Sequence, residues 1–136
     1  FTKNPAYLEA ARKIAHFIME NRPSKKDYIP YWDYNAPGIP DALRDASAAA
    51  INCAGLLELS QYLPAKQGDK YFKAAEKILQ VLSSPEYTAE VGTNGGFILK
   101  HSVGNMPAGT EVDAPLTYAD YYYVEALCRY KSLTNK

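Results

Sequence analysis

Apolar residues recur at helical spacing in two stretches of the chain, and the two stretches resemble each other. Tyr7-Leu8-Glu9-Ala10-Ala11-Arg12-Lys13-Ile14 is echoed 64 residues later by Tyr71-Phe72-Lys73-Ala74-Ala75-Glu76-Lys77-Ile78, and the apolar positions continue at Phe17/Ile18 and Val81/Leu82. Both place apolar side chains at i, i+3, i+4 and i+7 with charges between them, the pattern of an amphipathic helix that buries one stripe. These two are expected to be outer, surface-facing helices. Each is followed by a long irregular loop and then by a second, less charged helix, over residues 46–63 and about 118–132. Ala46, Ala48, Ala49, Ala50, Cys53, Ala54 and Gly55 make the first of these small on most faces, so that neighbouring helices can approach it closely. It reads as an inner helix, with Asp45 as its expected cap, because a short carboxylate there accepts orphan amide hydrogen bonds and suits the helix dipole. A unit of outer helix, loop and inner helix thus occurs twice. Such pairs either close into an α/α toroid around a cavity or remain an open solenoid, and periodicity alone does not separate the two.

The loops carry the chemistry. Residues 23–44 contain Pro23, Pro30, Pro37, Gly38 and Pro40 around Tyr28-Ile29-Pro30-Tyr31-Trp32-Asp33-Tyr34. Loops longer than about 12 residues without regular structure are uncommon unless functional or disordered, and this aromatic density argues against disorder. Trp32 and its flanking tyrosines are ring types that stack on sugar faces; equally, they can pin a proline-rich connector to the domain. Arg44-Asp45-Ala46-Ser47 then sets a cation, an anion and a hydroxyl at the mouth of the inner helix. Three roles are open to Arg44: bidentate binding of a carboxylate, a salt bridge to Asp45, or a clamp on the loop. In the second loop, residues 83–117, Asn94-Gly95-Gly96 supplies the positive backbone dihedrals of a tight turn, and Phe97-Ile98-Leu99 is the expected short strand of a β-ribbon. Lys100, His101, Ser102 and Asn105 would form its polar edge, facing either an acidic sugar or solvent. Asp113 and Asp120 read as caps or loop anchors.

Composition narrows the field. Fifteen Lys and Arg balance fifteen Asp and Glu, which implies no broad attraction to nucleic acid or to an anionic membrane. No apolar run approaches the roughly 20 residues that span a bilayer, and the first five residues do not read as a signal peptide. Cys53 and Cys128 sit singly in apolar helical patterns, and His16 and His101 are isolated, so neither a metal site nor a disulfide framework is expected. Both cysteines read as small buried hydrophobes. Twelve tyrosines against four phenylalanines leave many rings with a hydroxyl, as suits a polar cleft or the margin of a core.

Taken together, Ile29-Pro30-Tyr31-Trp32-Asp33, Arg44 through Ala50, Gly95 through Gly104 (Gly-Gly-Phe-Ile-Leu-Lys-His-Ser-Val-Gly) and Tyr118-Ala119-Asp120-Tyr121-Tyr122 resemble the unsaturated glucuronyl hydrolases of glycoside hydrolase family 88 in order and spacing. The resemblance covers essentially the whole chain. It implies an all-α fold in which helical hairpins form part of an (α/α)6 toroid, with a short β-ribbon in the last long loop. Residues 1–136 would be the C-terminal portion, about two hairpins, of a single toroid domain. It also implies release of 4,5-unsaturated uronic acid from oligosaccharides produced by polysaccharide lyases. An aspartic acid protonates C4 of the vinyl ether, water adds at C5, and the hemiketal opens, which is general acid/base work rather than ordinary two-carboxylate displacement.

The family's two important aspartates fall upstream of Phe1, so Asp33, Asp45, Asp113 and Asp120 are assigned no catalytic role and the segment alone is expected to be inactive. The candidate substrate-binding residues are Trp32, Arg44, His101, Ser102 and Asn105. In members acting on sulfated glycosaminoglycans the last loop carries a Ser-x-x-Ser-x-Lys sulfate motif. Ser102 matches its first position, but Asn105 and Pro107 replace the second serine and the lysine, which counts against a sulfate preference. No cofactor or metal is implied. The expected partners are an unsaturated oligosaccharide and either the rest of the toroid or a second copy of the chain, since an incomplete ring would bare inner-helix faces. A bacterial cytoplasm and periplasm both remain open as the compartment. The alternative reading is a non-catalytic sugar-binding or helical-repeat interaction fragment.

Overall fold

The computed structural model describes residue 2, residues 4–24 and residues 27–135; Lys25 and Lys26 of the first loop lie outside the described residues. Four helices, α1 (Pro5–Glu20), α2 (Ala46–Ser60), α3 (Ala65–Leu82) and α4 (Thr117–Thr134), follow one another with a two-stranded ribbon before the last. Helix α1 starts where Pro5 supplies a fixed φ and Asn4 accepts from the Ala6 amide at 2.9 Å. Helix α2 is the axis of the molecule. Ala46, Ala49, Ala50, Cys53 and Leu57 are fully enclosed, and α3 and α4 both pack along it. Its lack of bulk is what admits two neighbours: Cys53 Sγ lies 3.3 Å from the Ala75 carbonyl of α3, and Gly68 of α3 sits against the Ser60 carbonyl with no room for a Cβ. Leu57, Ile78 and Leu82 are fully buried at this seam, each contributing about 1.5–3 kcal/mol of apolar transfer.

Polar side chains fix α4 in place. Arg129 donates to the Ala54 carbonyl at 3.1 Å and pairs with Glu58 at 2.9 Å. The Tyr130 hydroxyl donates to Glu76 at 2.6 Å while its ring stacks on Phe72, with centroids 5.6 Å apart. Strands β1 (Ser102–Asn105) and β2 (Thr110–Ala114) pair antiparallel, Val103 opposite Val112, with a bulge between Ser102 and Val103.

Three expectations are corrected. The strand is not at residues 97–99, where Leu99 makes only an isolated bridge to Thr88. Asp120 takes the Ile98 and Leu99 amides at 2.8 Å each, and the Asn94 amide group donates to the Phe97 and Leu99 carbonyls. Side chains thereby satisfy the backbone groups a strand partner would have used. Asn94 and Gly95 do adopt φ of 52° and 63°, but the ribbon's own turn is Met106–Ala108 closed by Gly109 at φ 65°. Second, Cys128 is exposed although Cys53 is buried as expected, because nothing in the described chain covers its side of α4. Third, the apolar stripe of α1 is only partly buried. Ala15 and Met19 are enclosed while Tyr7, Ile14 and Phe17 are 65%, 62% and 50% exposed, because among the helices α1 packs chiefly on α2, and only lightly.

Candidate functional site

The two long loops converge on the amino end of α2, and Asp45 is the knot. Its carboxylate accepts from Ser47 N at 2.9 Å, Ser47 Oγ at 2.6 Å and, across the loops, Val103 N of β1 at 3.2 Å. The backbone repeats the connection. Asp45 N donates to the Pro30 carbonyl at 2.9 Å, and the first amide of α2, Ala46 N, donates to the His101 carbonyl at 3.0 Å. A helix cap has therefore become a joint between three segments distant in sequence.

Arg44 resolves its three alternatives through geometry. It pairs with Asp27, not Asp45, at 2.8 Å, donates to the Ile29 carbonyl at 3.1 Å, and lies 3.9 Å from the Tyr31 ring centroid. This clamps the aromatic loop while leaving the guanidinium partly exposed. Trp32 is held by its amide, which donates to the Leu43 carbonyl at 3.1 Å. With Tyr34, Phe17 and Asn52 it lines a cleft of about 410 Å³ beside α2. Tyr34 is fixed edge-on against Phe17 at 4.9 Å, so the cleft wall is pre-formed.

On the other loop His101 adopts φ 61°, and its Nδ1 is 2.6 Å from Asp113 Oδ1 of β2. Neither side chain is deeply buried, at 43% and 48% exposed. Ser102 is fully enclosed, and its Oγ has no hydrogen-bond partner among the described residues. Asn105 is exposed at the ribbon tip, where its side chain accepts from the Ala108 amide at 3.4 Å.

Tyr87, which the sequence reading passed over, links the two halves. Its ring stands edge-on to His101 at 6.0 Å, and it lies within the field of Asp27 and Arg44. Burial, reinforced by the Glu86 and Asp27 carboxylates and opposed by Arg44, pushes its hydroxyl up to about 12, so at neutral pH it remains a proton donor. The structure thus brings both Arg44 and His101 near Tyr87, sets Trp32 in a cleft beside α2, encloses Ser102 and leaves Asn105 exposed at the ribbon tip. One tyrosine among twelve, outside any motif, gave no signal. Asp27 was equally silent, because its role depends on Arg44 reaching back across the loop. Among the described residues no group of three His, Cys, Asp or Glu is placed to hold a metal ion.

Over its full length the chain is 46% identical to an unsaturated glucuronyl hydrolase of Formosa agariphila, covering 33% of that protein. In sequence and fold the chain matches a segment of the unsaturated glucuronyl hydrolases. A Bacillus sp. unsaturated glucuronyl hydrolase is 32% identical over 93% of the chain and 33% of its own length. Among solved structures, an unsaturated glucuronyl hydrolase specific for heparin superposes on 99% of the chain and 36% of its own, with a TM-score of 0.93 and 48% identity. No family model matches the chain. The chain spans about a third of the length of the curated relatives it matches. The unsaturated glucuronyl hydrolase likeness includes both long loops as well as the helices, and the four helices with their ribbon are part of an α/α toroid.

Proposed function

We propose that this chain is the C-terminal portion, about two hairpins, of a single toroid domain that releases 4,5-unsaturated uronic acid from lyase-generated oligosaccharides by hydrating the C4=C5 vinyl ether. The observation that carries the reading is the convergence of the two motif-bearing loops on the capped end of α2, with Trp32, Arg44 and His101 around it. On this reading Trp32 stacks on a sugar ring, Arg44 and His101 offer donors to the acidic sugar, and Ser102 and Asn105 act from the last loop. Arg44 keeps a partly exposed guanidinium after satisfying Asp27, as an accessory carboxylate ligand requires. Ser102 is enclosed, so a role for its free hydroxyl requires the loop bulge at residues 102 and 103 to open toward the sugar. The proton donor comes from the remainder of the hydrolase, and the chain alone binds without turnover.

The test uses the chain itself with unsaturated heparin and chondroitin disaccharides, following Trp32 fluorescence for binding and the ultraviolet absorbance of the C4=C5 bond for turnover. Quenching with constant absorbance is expected. Decay of the chromophore would place the acid within these residues and overturn the division of labour, and an unaltered Trp32 signal would remove the tryptophan from the site.

A further inference from the structure

A second concavity of about 630 Å³ lies between α1 and the first turns of α3. It is at the other end of the molecule from the loops, since α3 begins just after α2 ends, and the 15 residues of α2 span about 20 Å. Two helix faces meet across it. Helix α1 presents Glu9, Arg12, Lys13 and His16 at i, i+3, i+4 and i+7, and α3 presents Lys66, Gln67, Lys70 and Tyr71. Four cations therefore surround one cleft in a chain whose net charge is zero. The single carboxylate, Glu9, is already paired with Arg12 at 3.2 Å. Among the described residues Lys13, Lys66 and Lys70 form no ion pair. Lys66 and Lys70 are like charges at i, i+4, a spacing at which they repel one another unless an anion intervenes. Tyr71 is buried at the floor, giving the cleft an aromatic base under a cationic rim.

We infer that this cleft is a distal binding site for an acidic oligosaccharide, the cationic rim holding sulfate or carboxylate groups and Tyr71 and Gln67 meeting the sugar between them. The anion preference rests on the cleft's charge; the choice of a glycan rests on the function proposed above. Such a site would retain a polyanionic chain while its unsaturated end is processed at the loops, or draw fragments to the protein's surface, and salt would weaken it as it does exposed charge pairs.

Amide chemical shifts of the 136-residue chain, titrated with an unsaturated sulfated heparin disaccharide, with maltose and with inorganic pyrophosphate, test this. The expected result is saturable shifts at residues 12–16 and 66–71 with the sulfated sugar only. In the exposed double variant Lys66→Glu with Lys70→Glu, whose amide spectrum reports an intact fold, those shifts should require about tenfold more ligand or more. Absence of shifts at both segments, or an unchanged titration in the variant, would overturn the site. Pyrophosphate binding as tightly as the sugar would overturn the glycan assignment. Responses near residues 31–35 and 101–105 report the loop site separately, so their loss sinks the proposed function and leaves the distal cleft to be judged on its own amides.

Discussion

At the scale of single residues, Asp45 carries more than its place in the sequence shows. A helix cap contributes roughly 1 kcal/mol, and stranding the buried Val103 amide adds about 1–3 kcal/mol. Asp45→Ala should therefore lower unfolding stability by about 2–4 kcal/mol in urea titration, whereas Asp33→Ala, in an exposed turn, should lower it far less. The cysteines supply a second contrast. Cys53 is enclosed and its thiol is pushed up to about 12 by burial, while Cys128 is exposed. A disulfide reagent should thus modify one thiol per native chain and two after unfolding; two fast native thiols would mean that α2 is not buried as described. Alkaline titration follows from the same burial. Tyr87 and Cys53 both have folded values above their ordinary ones, so the native state retains protons that the unfolded state has lost. Their contribution is complete below about pH 9, the lower of their unfolded values, and falls away as pH rises toward about 12. Tyr87→Phe should flatten the part of that decline lying between about pH 10 and about 12, a difference of about 3 kcal/mol at most.

At the scale of elements, α4 reaches out to shape the loop that precedes it. Asp120, in its first turn, accepts the Ile98 and Leu99 amides and so sets the approach to His101. Asp120→Ala should leave the helices intact while amide exchange at Leu99 accelerates by about one to two orders of magnitude. No change there would show that the Thr88–Leu99 bridge alone holds the segment. The same carboxylate accounts for the misplaced strand. Phe97-Ile98-Leu99 has a strand's composition, and nothing in the sequence marks these amides as the partners of Asp120, more than 20 residues farther on. The ribbon formed farther on because Gly109 and the turn at Met106–Ala108 reverse the chain where Val103 and Val112 can pair. Helix positions were legible for the converse reason: the 3.6-residue period of residues 7–18 and 71–82 is a local property.

At the scale of the whole molecule, apolar side chains are bare on two flanks. Between α1 and α2, Ile14, Ile18, Ile51 and Leu56 line a groove of about 220 Å³, and on α4 Tyr121, Val124 and Leu127 are 62%, 44% and 37% exposed. Faces of this kind ordinarily find a partner. The chain alone should self-associate with rising concentration in sedimentation velocity, and Ile14→Glu with Ile51→Glu should shift it toward monomer. A monodisperse wild-type monomer at high concentration would contradict this.

The residue pattern by itself determined the positions of the four helices, the near-all-round burial of α2 and the cap at Asp45, because each depends on side chains within one or two turns of one another; it did not show that α2 packs mainly on α3 and α4. It also determined the family likeness, which lives in ordered loop motifs. Only the tertiary structure decided that Arg44 faces Asp27 rather than Asp45, that Tyr87 lies near both Arg44 and His101, that Ser102 is enclosed, and that the basic faces of α1 and α3 share one cleft. These are meetings of residues dozens of positions apart, fixed by how helices pack around α2 and how two loops cross its end. No local period or spacing encodes such a crossing.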